Sequence, residues 1–333
     1  MVKKILCYAI ESDLEFKKYE GTWFDISAVN FVVTDDADVW GIDTDGTHRL
    51  LARYRKKVFD THDTDTALRN FRDAATMSKT RGAAAGTIDP SGALLSRMNI
   101  IDISGHKAAW IKSDGKVSHM KINNPVASGT IGYMEKTGTF SLPCRLTTYT
   151  RDNMEMFNDT IPFITRIDAM FKQLIPDAYA LQYAAAHKQP EFVIGDTAFS
   201  TITANWNFRT ALHKDSGDFE RGFGNLTVIE YGKYHGGVTM LPRFRIGFDV
   251  RTGDFLAMNV HEYHTNSPIY TTEEDDAYNS TLPHPELTYT ARNTVGGTER
   301  YGRLALICYL REKLKHCDAN ATQKFYKSIN FNG

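Results

Sequence analysis

The chain of 333 residues has little that would place it in a membrane or in a disulfide-stabilised class of protein. No apolar run approaches the length of a transmembrane helix. The apolar segment near the N-terminus is too short for a signal peptide, and Glu11 and Asp13 follow it directly. The four cysteines show no CxxC or zinc-site spacing. We therefore expect a protein of a reducing, intracellular compartment, the cytoplasm in the simplest case, with no membrane partner.

The chain also lacks an excess of charge of either sign. It has 39 lysines and arginines against 40 aspartates and glutamates, a formal net charge of −1. Because nucleic-acid binders usually have a basic balance, the overall charge does not indicate one. There is no internal repeat and no low-complexity tract, and 42% hydrophobic residues are sufficient for a large core. The composition favours one large domain, or a core with a closely associated N-terminal subdomain.

The segment 199–215, FSTITANWNFRTALHKD, is the most informative part of the sequence. β-Branched and aromatic residues alternate along it, which predicts one long strand. Residues two apart in a strand share a face. One face would then form a polar stripe ending in two potential metal ligands, and this stripe consists of Asn205, Asn207, Arg209, Ala211, His213 and Asp215.

A further potential ligand follows about fifty residues later. The segment RIGFDVRTGDFLAMNVHEYHTNSPI predicts two strands joined by a tight turn, which can return the chain beside the first pair of ligands. His261 and His264 are three residues apart, so only one of them can face a metal. Two imidazoles and one carboxylate form the ligand set of a mononuclear non-haem Fe(II) site, which leaves positions for a co-substrate and O2.

Arg303 begins the otherwise apolar segment RLALICYL. In a strand, alternate residues from Arg303 to Tyr309 would share one face. A guanidinium in such a setting offers a planar pair of donors that matches a carboxylate, so we expect Arg303 to bind an anion. Arg300 and Arg292 are rivals for this role, and a solvent-exposed arginine at a strand end is the alternative.

These motifs resemble those of the TET/JBP dioxygenases, which oxidise the 5-methyl group of pyrimidines in DNA. HKDSGD resembles the first iron motif of that family, and HTNSPI resembles the second, which favours His264 over His261. RLALICY is similar to the final strand of the family. LLARYRKKVF, TRGAAAG, NPVASGTIGYM and GGVTMLPRF resemble the JBP-like branch with its phage and protist members, so the resemblance spans residues 45–311.

The resemblance implies an α+β fold. Its core would be a double-stranded β-helix of the jelly-roll or cupin-like type, supported by helices. We expect residues 1–150 to form a β-rich, substrate-binding N-terminal region, residues 151–312 the dioxygenase core, and residues 313–333 a helical tail. The protein is expected to be a monomer, in the cytoplasm of a host cell if a phage encodes it.

The same resemblance assigns roles to the candidate residues. His213, Asp215 and His264 would bind Fe(II), and Arg303 would hold the distal carboxylate of 2-oxoglutarate, with O2 as the other co-substrate. Asn205 and Arg209 are expected to add contacts to the co-substrate. Two features keep alternatives open: the interval of about forty residues before Arg303 is longer than usual in the family, and an algal branch uses ascorbate instead of 2-oxoglutarate.

The substrate implied by the resemblance is double-stranded DNA with the target base flipped out, because a methyl group in the major groove cannot reach a barrel interior. Asp218 would bind the Watson–Crick edge of the base, accepting from cytosine N4 or thymine N3–H, so both 5-methylcytosine and thymine remain candidates. Asn207, Arg81 and Arg55 are the other expected substrate contacts.

Two further expectations concern DNA. Arg55 belongs to a basic cluster that we expect to contact phosphate, made of Arg49, Arg53, Arg55, Lys56 and Lys57. Tyr133 and Phe140 could stack on a base, although a core position is the more common place for an aromatic side chain.

Three alternative functions stay open. The same chemistry could act on RNA, free nucleotides or protein. A cupin-like barrel could use another divalent metal for a different reaction such as isomerisation, although an arginine beginning the last strand argues against this. A non-catalytic DNA-binding module would have no physical reason to keep three metal ligands in register.

Overall fold

The computed structural model describes residues 2–92, 95–138, 141–283 and 300–331. The strands in these ranges are β1 (Lys3–Tyr8), β2 (Phe31–Val33), β3 (Ala37–Ile42), β4 (His48–Arg55), β5 (Met77–Ser78), β6 (Asn99–Ser104), β7 (Lys107–Ile111), β8 (Val126–Met134), β9 (Arg145–Leu146), β10 (Thr201–Trp206), β11 (Gly224–Tyr231), β12 (His235–Gly236), β13 (Thr239–Leu241), β14 (Ile246–Phe248), β15 (Phe255–Met258), β16 (Thr265–Asn266), β17 (Ile269–Tyr270) and β18 (Gly302–Tyr309). The α-helices are α1 (Asp13–Phe16), α2 (Thr61–Phe71), α3 (Thr148–Asp152), α4 (Met154–Leu174), α5 (Pro176–Ala186), α6 (Glu273–Asn279) and α7 (Ala319–Ser328).

Most strands belong to one large sheet with the order β1-β3-β4-β15-β11-β18-β10-β8-β5, in which β9 also pairs with β8. Its centre is antiparallel: Leu306 of β18 lies opposite Thr227 of β11 on one side and Ala204 of β10 on the other. A small sheet with the order β16-β13-β14-β2 is separate from it. The chain therefore combines α-helices with extensive β-structure, as the α+β prediction requires.

Alternate residues of β18 pack into two different cores, as the sequence pattern predicted. Leu304, Leu306 and Cys308 are buried against the helices, in a core that includes Phe163 and Phe171 of α4. Neighbouring positions on β18 point the other way. Ala305 is buried in a second core, where the large sheet packs against Leu241, Ile246 and Phe248 of the small sheet. The space between the two sheets is where the polar side chains of the candidate site lie.

The prediction of one long strand over residues 199–215 is wrong. Strand β10 ends at Trp206, and Asn207 has a φ of 48°, in the left-handed region that asparagine tolerates better than most residues. The Asn207 side chain also binds backbone groups of the last strand: its Oδ1 accepts from Arg303 N at 2.7 Å, and its Nδ2 donates to Tyr301 O at 3.1 Å. The chain beyond Asn207 therefore continues as a loop.

The large sheet continues across residue 150, where we expected the N-terminal region to end. β8 pairs with β10, with Ile131 opposite Ile202, and β4 pairs with β15, with Tyr54 opposite Leu256. The hydrogen-bonded sheet therefore includes strands from both sides of residue 150. The division of the chain there into a substrate-binding region and a catalytic core remains a prediction.

Cys144 and Cys317 form a disulfide, with their Cα atoms 5.8 Å apart. It joins the chain just before β9 to the residue before the N-cap of α7 in the C-terminal tail. Disulfides are uncommon in a reducing cytosol, so this pair departs from the expectation drawn from cysteine spacing. Among the described helices, none has both the length and the apolar character needed to cross a bilayer.

Candidate metal centre and co-substrate pocket

His213, Asp215 and His264 come together in the space between the sheets. Each offers one ligand atom, and these three atoms lie within 4.8 Å of one another. Nε2 of His213 is 3.5 Å from Oδ1 of Asp215, and Nε2 of His264 is 3.7 Å from Oδ2. Ligand atoms about 2.1 Å from one cation are roughly 3–4 Å apart, so the set fits a divalent metal ion.

Backbone hydrogen bonds between distant segments bring the ligands together. His213 and His264 exchange two hydrogen bonds, N to O and O to N, both of 3.0 Å, and Asp215 N donates to Val260 O at 3.0 Å. These bonds attach the loop after β10 to the loop after β15. The two histidines are therefore directly opposite each other, with ring centroids 4.2 Å apart.

Both imidazoles are held in the tautomer that binds a metal through Nε2. Nδ1 of His213 lies 2.8 Å from Ala211 O, and Nδ1 of His264 lies 2.9 Å from Glu262 O. A carbonyl oxygen only accepts, so each Nδ1 carries the hydrogen and leaves a lone pair on Nε2. Burial, together with the neighbouring His264, lowers the pKa of His213 to about 4, which keeps this ligand neutral.

His261 lies outside the ligand cluster. Its Nε2 is 3.0 Å from the carbonyl oxygen of Phe219, and it is not in the group of potential metal ligands found among the described residues. The structure therefore brings His264, rather than His261, to the other two ligands.

The three ligands line a cavity of about 500 Å³. The large sheet contributes its inward-facing side chains to the lining, and the small sheet contributes Thr239 and Asn266. Of the other residues expected in the site, the lining includes Arg303, Asn205, Asp218 and Arg81. The Asn205 Oδ1 atom also accepts a hydrogen bond from the Ser128 hydroxyl on the neighbouring strand β8.

Arg303 is only 4% exposed, and its Nη2 atom has no hydrogen-bond partner among the described residues. Burial lowers the pKa of its guanidinium below the usual range. The nearby carboxylates of Glu230 and Asp249 are bound by Arg251, at 3.1 and 2.7 Å. A buried guanidinium with an unpaired N–H group requires an anion to compensate its desolvation. The distal carboxylate of 2-oxoglutarate fits this requirement.

A glycine makes room for the Arg303 side chain. A Cβ atom on Gly237 would lie 2.9 Å from both Cδ and Nε of Arg303. The rival Arg300 does not line the cavity and donates to Ser280 O at 2.9 Å. The other rival, Arg292, is outside the described residues.

Asp218 and Arg81 lie on the cavity wall with little compensation of their charge. Burial and the neighbouring Asp215 carboxylate raise the pKa of Asp218 well above its usual range, against the opposing effect of Arg311. The Nε of Arg81 is buried without a partner among the described residues, and its Nη2 lies 3.4 Å from Thr130 Oγ1. Both side chains are therefore available to a polar ligand.

Three other predicted contacts do not reach the cavity. The Asn207 side chain binds the backbone of residues 301 and 303, as described above. Arg209 donates to Phe24 O and to Asp25 Oδ1, both at 3.0 Å. Arg55 binds Asp38 Oδ1 at 2.8 Å on the neighbouring strand β3. The first two were expected in the site because strand alternation was extended past Trp206, where the strand in fact ends.

The two aromatic candidates for base stacking have different outcomes. Tyr133 packs edge-on against Phe192, with ring centroids 5.7 Å apart, and takes the core position that we considered more common. Phe140 lies outside the described residues.

Arg311 and Tyr309 line the cavity and were missed as site residues. Arg311 binds Glu135, and its Nη2 is 3.4 Å from the Tyr309 hydroxyl. The signal was present in the sequence: residues 303, 305, 307, 309 and 311 alternate along one face of the last strand and the residues that follow it.

Comparisons with known proteins identify the family of the chain. The model of a family named Tet_JBP, described as the oxygenase domain of the 2OGFeDO superfamily, matches residues 129–312. Thymine dioxygenase JBP1-B of Trypanosoma cruzi (strain CL Brener) is 32% identical over 247 residues, which are 74% of this chain and 26% of that protein. Bifunctional helicase and thymine dioxygenase JBP2 of Leishmania infantum is 35% identical over 191 residues, 57% of this chain and 15% of that protein.

The chain thus spans about a quarter or less of the length of these relatives. A solved structure of NgTET1 in complex with 5mC DNA covers 91% of this chain and 90% of its own, with 12% identity and a TM-score of 0.47. The family model covers more than half of the residues. The chain therefore belongs to the Tet_JBP family, the oxygenase domains of the superfamily of iron- and 2-oxoglutarate-dependent dioxygenases.

Proposed function

We propose that this chain is an Fe(II)- and 2-oxoglutarate-dependent dioxygenase that hydroxylates the 5-methyl group of a pyrimidine base in DNA. The observation that carries the proposal is the convergence of His213, Asp215 and His264, with both imidazole Nε2 atoms available to a metal. The names of the relatives, which are thymine dioxygenases, support a pyrimidine methyl group as the target.

Each part of the site has a task in this reaction. Bound iron and 2-oxoglutarate supply the chemistry: one atom of O2 enters the C–H bond, and the other leaves in succinate as CO2 is released. Arg303 orients the distal carboxylate of the co-substrate through charge-assisted hydrogen bonds. Apolar lining residues such as Leu226, Met258 and Ile307 exclude water from the reacting atoms.

Asp218 and Arg81 would contact the substrate from the cavity wall, and Asn205 would add a contact to the co-substrate. A base must leave the duplex to reach the metal between two sheets, so a flipped base in double-stranded DNA is part of the proposal. The Asp218 carboxyl on the cavity wall can accept a hydrogen bond from cytosine N4 or from thymine N3–H. It therefore suits the Watson–Crick edge of either thymine or 5-methylcytosine.

The finer description of the fold belongs to the same proposal. The packing of the large sheet against the small sheet around the ligands is consistent with a double-stranded β-helix. Residues 151–312 would supply the catalytic core, residues 1–150 the substrate-binding region and residues 313–333 the tail, in a monomer. Ascorbate is the alternative co-substrate, and RNA, free nucleotides or protein are the alternative substrates.

The test is a single-turnover assay. The protein is loaded with Fe(II) and 2-oxoglutarate without oxygen, O2 is added with methylated or unmethylated duplexes, and the DNA is digested to nucleosides for mass spectrometry. We expect a gain of one oxygen atom on 5-methyldeoxycytidine or thymidine, which also identifies the base. Asp215→Ala should lose the product, and Asp65→Ala, which removes an exposed carboxylate from α2, should retain it.

Other outcomes would change the assignment. Succinate without an oxidised base would keep the oxygenase and remove the DNA methyl group as its target, and the assay would then be repeated with RNA, nucleotides and peptides. No succinate would lead to the same assay with ascorbate, and no product there would favour the cupin-like alternative.

A further inference from the structure

The basic cluster that the sequence suggested for phosphate binding is largely neutralised within the protein. Arg49 binds Asp43 at 2.9 Å and also pairs with Glu262. Arg53 and Arg55 share Asp38, at 3.4 and 2.8 Å. Because these arginines already have carboxylate partners, binding DNA phosphates would require them to give up existing ion pairs.

Residues 95–122, which we call the lysine hairpin, have the opposite character. This segment contains β6 and β7 and carries five basic residues against two aspartates in a chain whose overall charge is −1. The basic residues are Arg97, Lys107, Lys112, Lys116 and Lys121. All five are exposed, and none of their side chains forms a hydrogen bond or ion pair within the described part of the chain.

The backbone pairing fixes where these lysines point. Ala108 lies opposite Ile122, and both are buried in a small core of the hairpin itself. Lys107 and Lys121 are the chain neighbours of these buried residues, so they project from the opposite, solvent-facing side. The small core holds this face in place without using the lysines.

Lys112 and Lys116 form a second basic pair at the end of the hairpin. Lys112 N donates to Lys116 O at 2.9 Å across a tight turn that includes Gly115, with a φ of 79°. Like charges directly opposite each other are destabilising. Asp114 lies in the same turn and its Oδ1 accepts from Lys116 N at 3.0 Å, but it forms no ion pair with either lysine side chain among the described residues. An external anion would remove the repulsion.

The turn between β6 and β7 reaches the cavity that is lined by the three candidate metal ligands. His106 and Lys107, at the turn between β6 and β7, line the cavity together with Arg81. Asn123 connects the two segments: its Nδ2 donates to His106 O, and its Oδ1 accepts from Gly82 N at 2.8 Å. Basic side chains are thus present both at the cavity and at the far end of β7.

The dimensions fit a nucleic-acid backbone. From Lys107 to Lys112 a strand extends roughly 17 Å, at about 3.3 Å per residue. One strand of B-form DNA advances about 3.4 Å along the helix axis for each phosphate, so this length corresponds to about five phosphates. Unpaired basic side chains distributed over this length are suited to a polyanion rather than to a single small anion.

We propose that the lysine hairpin binds the phosphate backbone of duplex DNA next to the base that enters the cavity. This inference rests on the proposed function and adds the surface that contacts the DNA. Lys112, Lys116 and Lys121 position the duplex through its phosphates and carry no sequence information, whereas recognition of the base takes place in the cavity.

The test compares two variants with the same change in charge. Lys112→Gln/Lys116→Gln/Lys121→Gln removes three charges from the hairpin. Lys188→Gln/Lys324→Gln/Lys327→Gln removes three exposed charges elsewhere. Binding of a fluorescent 21-base-pair duplex with a central 5-methylcytosine or thymine is measured by anisotropy over a range of salt concentrations, and succinate formation without DNA is measured as a control.

We expect the hairpin variant to bind at least tenfold more weakly near physiological salt. Its slope of log Kd against log salt should fall by about 2–3, since each phosphate contact contributes about 0.9. The control variant should keep the wild-type affinity and slope, and both variants should form succinate at the wild-type rate, because the metal and co-substrate side chains are unchanged.

Three results would overturn the inference. If the hairpin variant binds and oxidises duplex DNA like the wild type, the hairpin is not the DNA surface, although the proposed function stands. If the slope changes only with an RNA duplex, the partner is RNA. If the wild type binds no duplex but still oxidises a nucleoside, this inference fails together with the DNA part of the proposed function.

Discussion

Replacing Gly237 by alanine tests whether the position of Arg303 determines the binding of 2-oxoglutarate. The added Cβ would lie 2.9 Å from both Cδ and Nε of Arg303. Carbon atoms in favourable contact are about 3.5–4.0 Å apart, so the arginine must move by roughly 0.5–1 Å. Binding groups need to be held within about 0.5 Å of their productive position.

The expected size of the effect follows from the hydrogen bonds that Arg303 makes. Loss of one hydrogen bond between the guanidinium and a carboxylate costs about 1.5–3 kcal/mol, which corresponds to a roughly 10- to 150-fold weaker affinity for 2-oxoglutarate. Gly237 also has a φ of +68°, so alanine there adds backbone strain of about 1–2 kcal/mol to the free energy of folding.

A variant at a second glycine distinguishes the effect of backbone strain from the effect of displacing the Arg303 side chain. Gly46 has a φ of +85°, and a Cβ there would meet nothing within 4 Å. Gly46→Ala should therefore lose a similar amount of stability in urea denaturation while keeping wild-type affinity for 2-oxoglutarate, measured by calorimetry on metal-loaded protein without oxygen. If Gly237→Ala also kept that affinity, the assignment of Arg303 as the co-substrate residue would be refuted.

Three other variants have defined outcomes. Arg303→Lys should raise the KM for 2-oxoglutarate at least tenfold with little change in Fe(II) affinity, because an ammonium lacks the planar pair of donors; equal KM values would contradict this. Arg243→Met should lower the free energy of unfolding in urea by about 3–5 kcal/mol, since Arg243 is fully buried and binds Glu262 at 2.7 Å; a loss below 1 kcal/mol would contradict it. Cys317→Ala should lower stability by about 2–5 kcal/mol, and a reductant should then have no further effect, whereas it should destabilise the wild type; a wild type insensitive to reductant would show that the bond to Cys144 does not form.

The parts of the fold that the sequence predicted are those set by local alternation. In β18, apolar residues on one face and Arg303 on the other follow the two-residue period of a strand, and the structure has the same arrangement. The choice of His213 and Asp215 as candidate ligands depends only on a short spacing along the chain. Patterns of this kind need no knowledge of distant residues.

The features that the sequence did not predict depend on distant partners. Strand β10 ends where Asn207 binds the backbone of residues 301 and 303, about one hundred positions later. Arg55 appeared to be free for phosphate, but the pairing of β4 with β3 places it beside Asp38. Cys144 and Cys317 are separated by 173 residues, so their spacing carried no signal for a disulfide.

The early end of β10 also explains how the metal ligands converge. In a regular strand, His213 and Asp215 would project in parallel from positions about 6.6–6.8 Å apart. At that separation their ligand atoms could bind one small cation only if the backbone bent. In the structure the chain has left the sheet and is attached to the loop of His264 by backbone hydrogen bonds. That loop allows Nε2 of His213 and Oδ1 of Asp215 to approach to 3.5 Å. The residue pattern therefore identifies candidate ligands, whereas long-range backbone pairing determines their geometry.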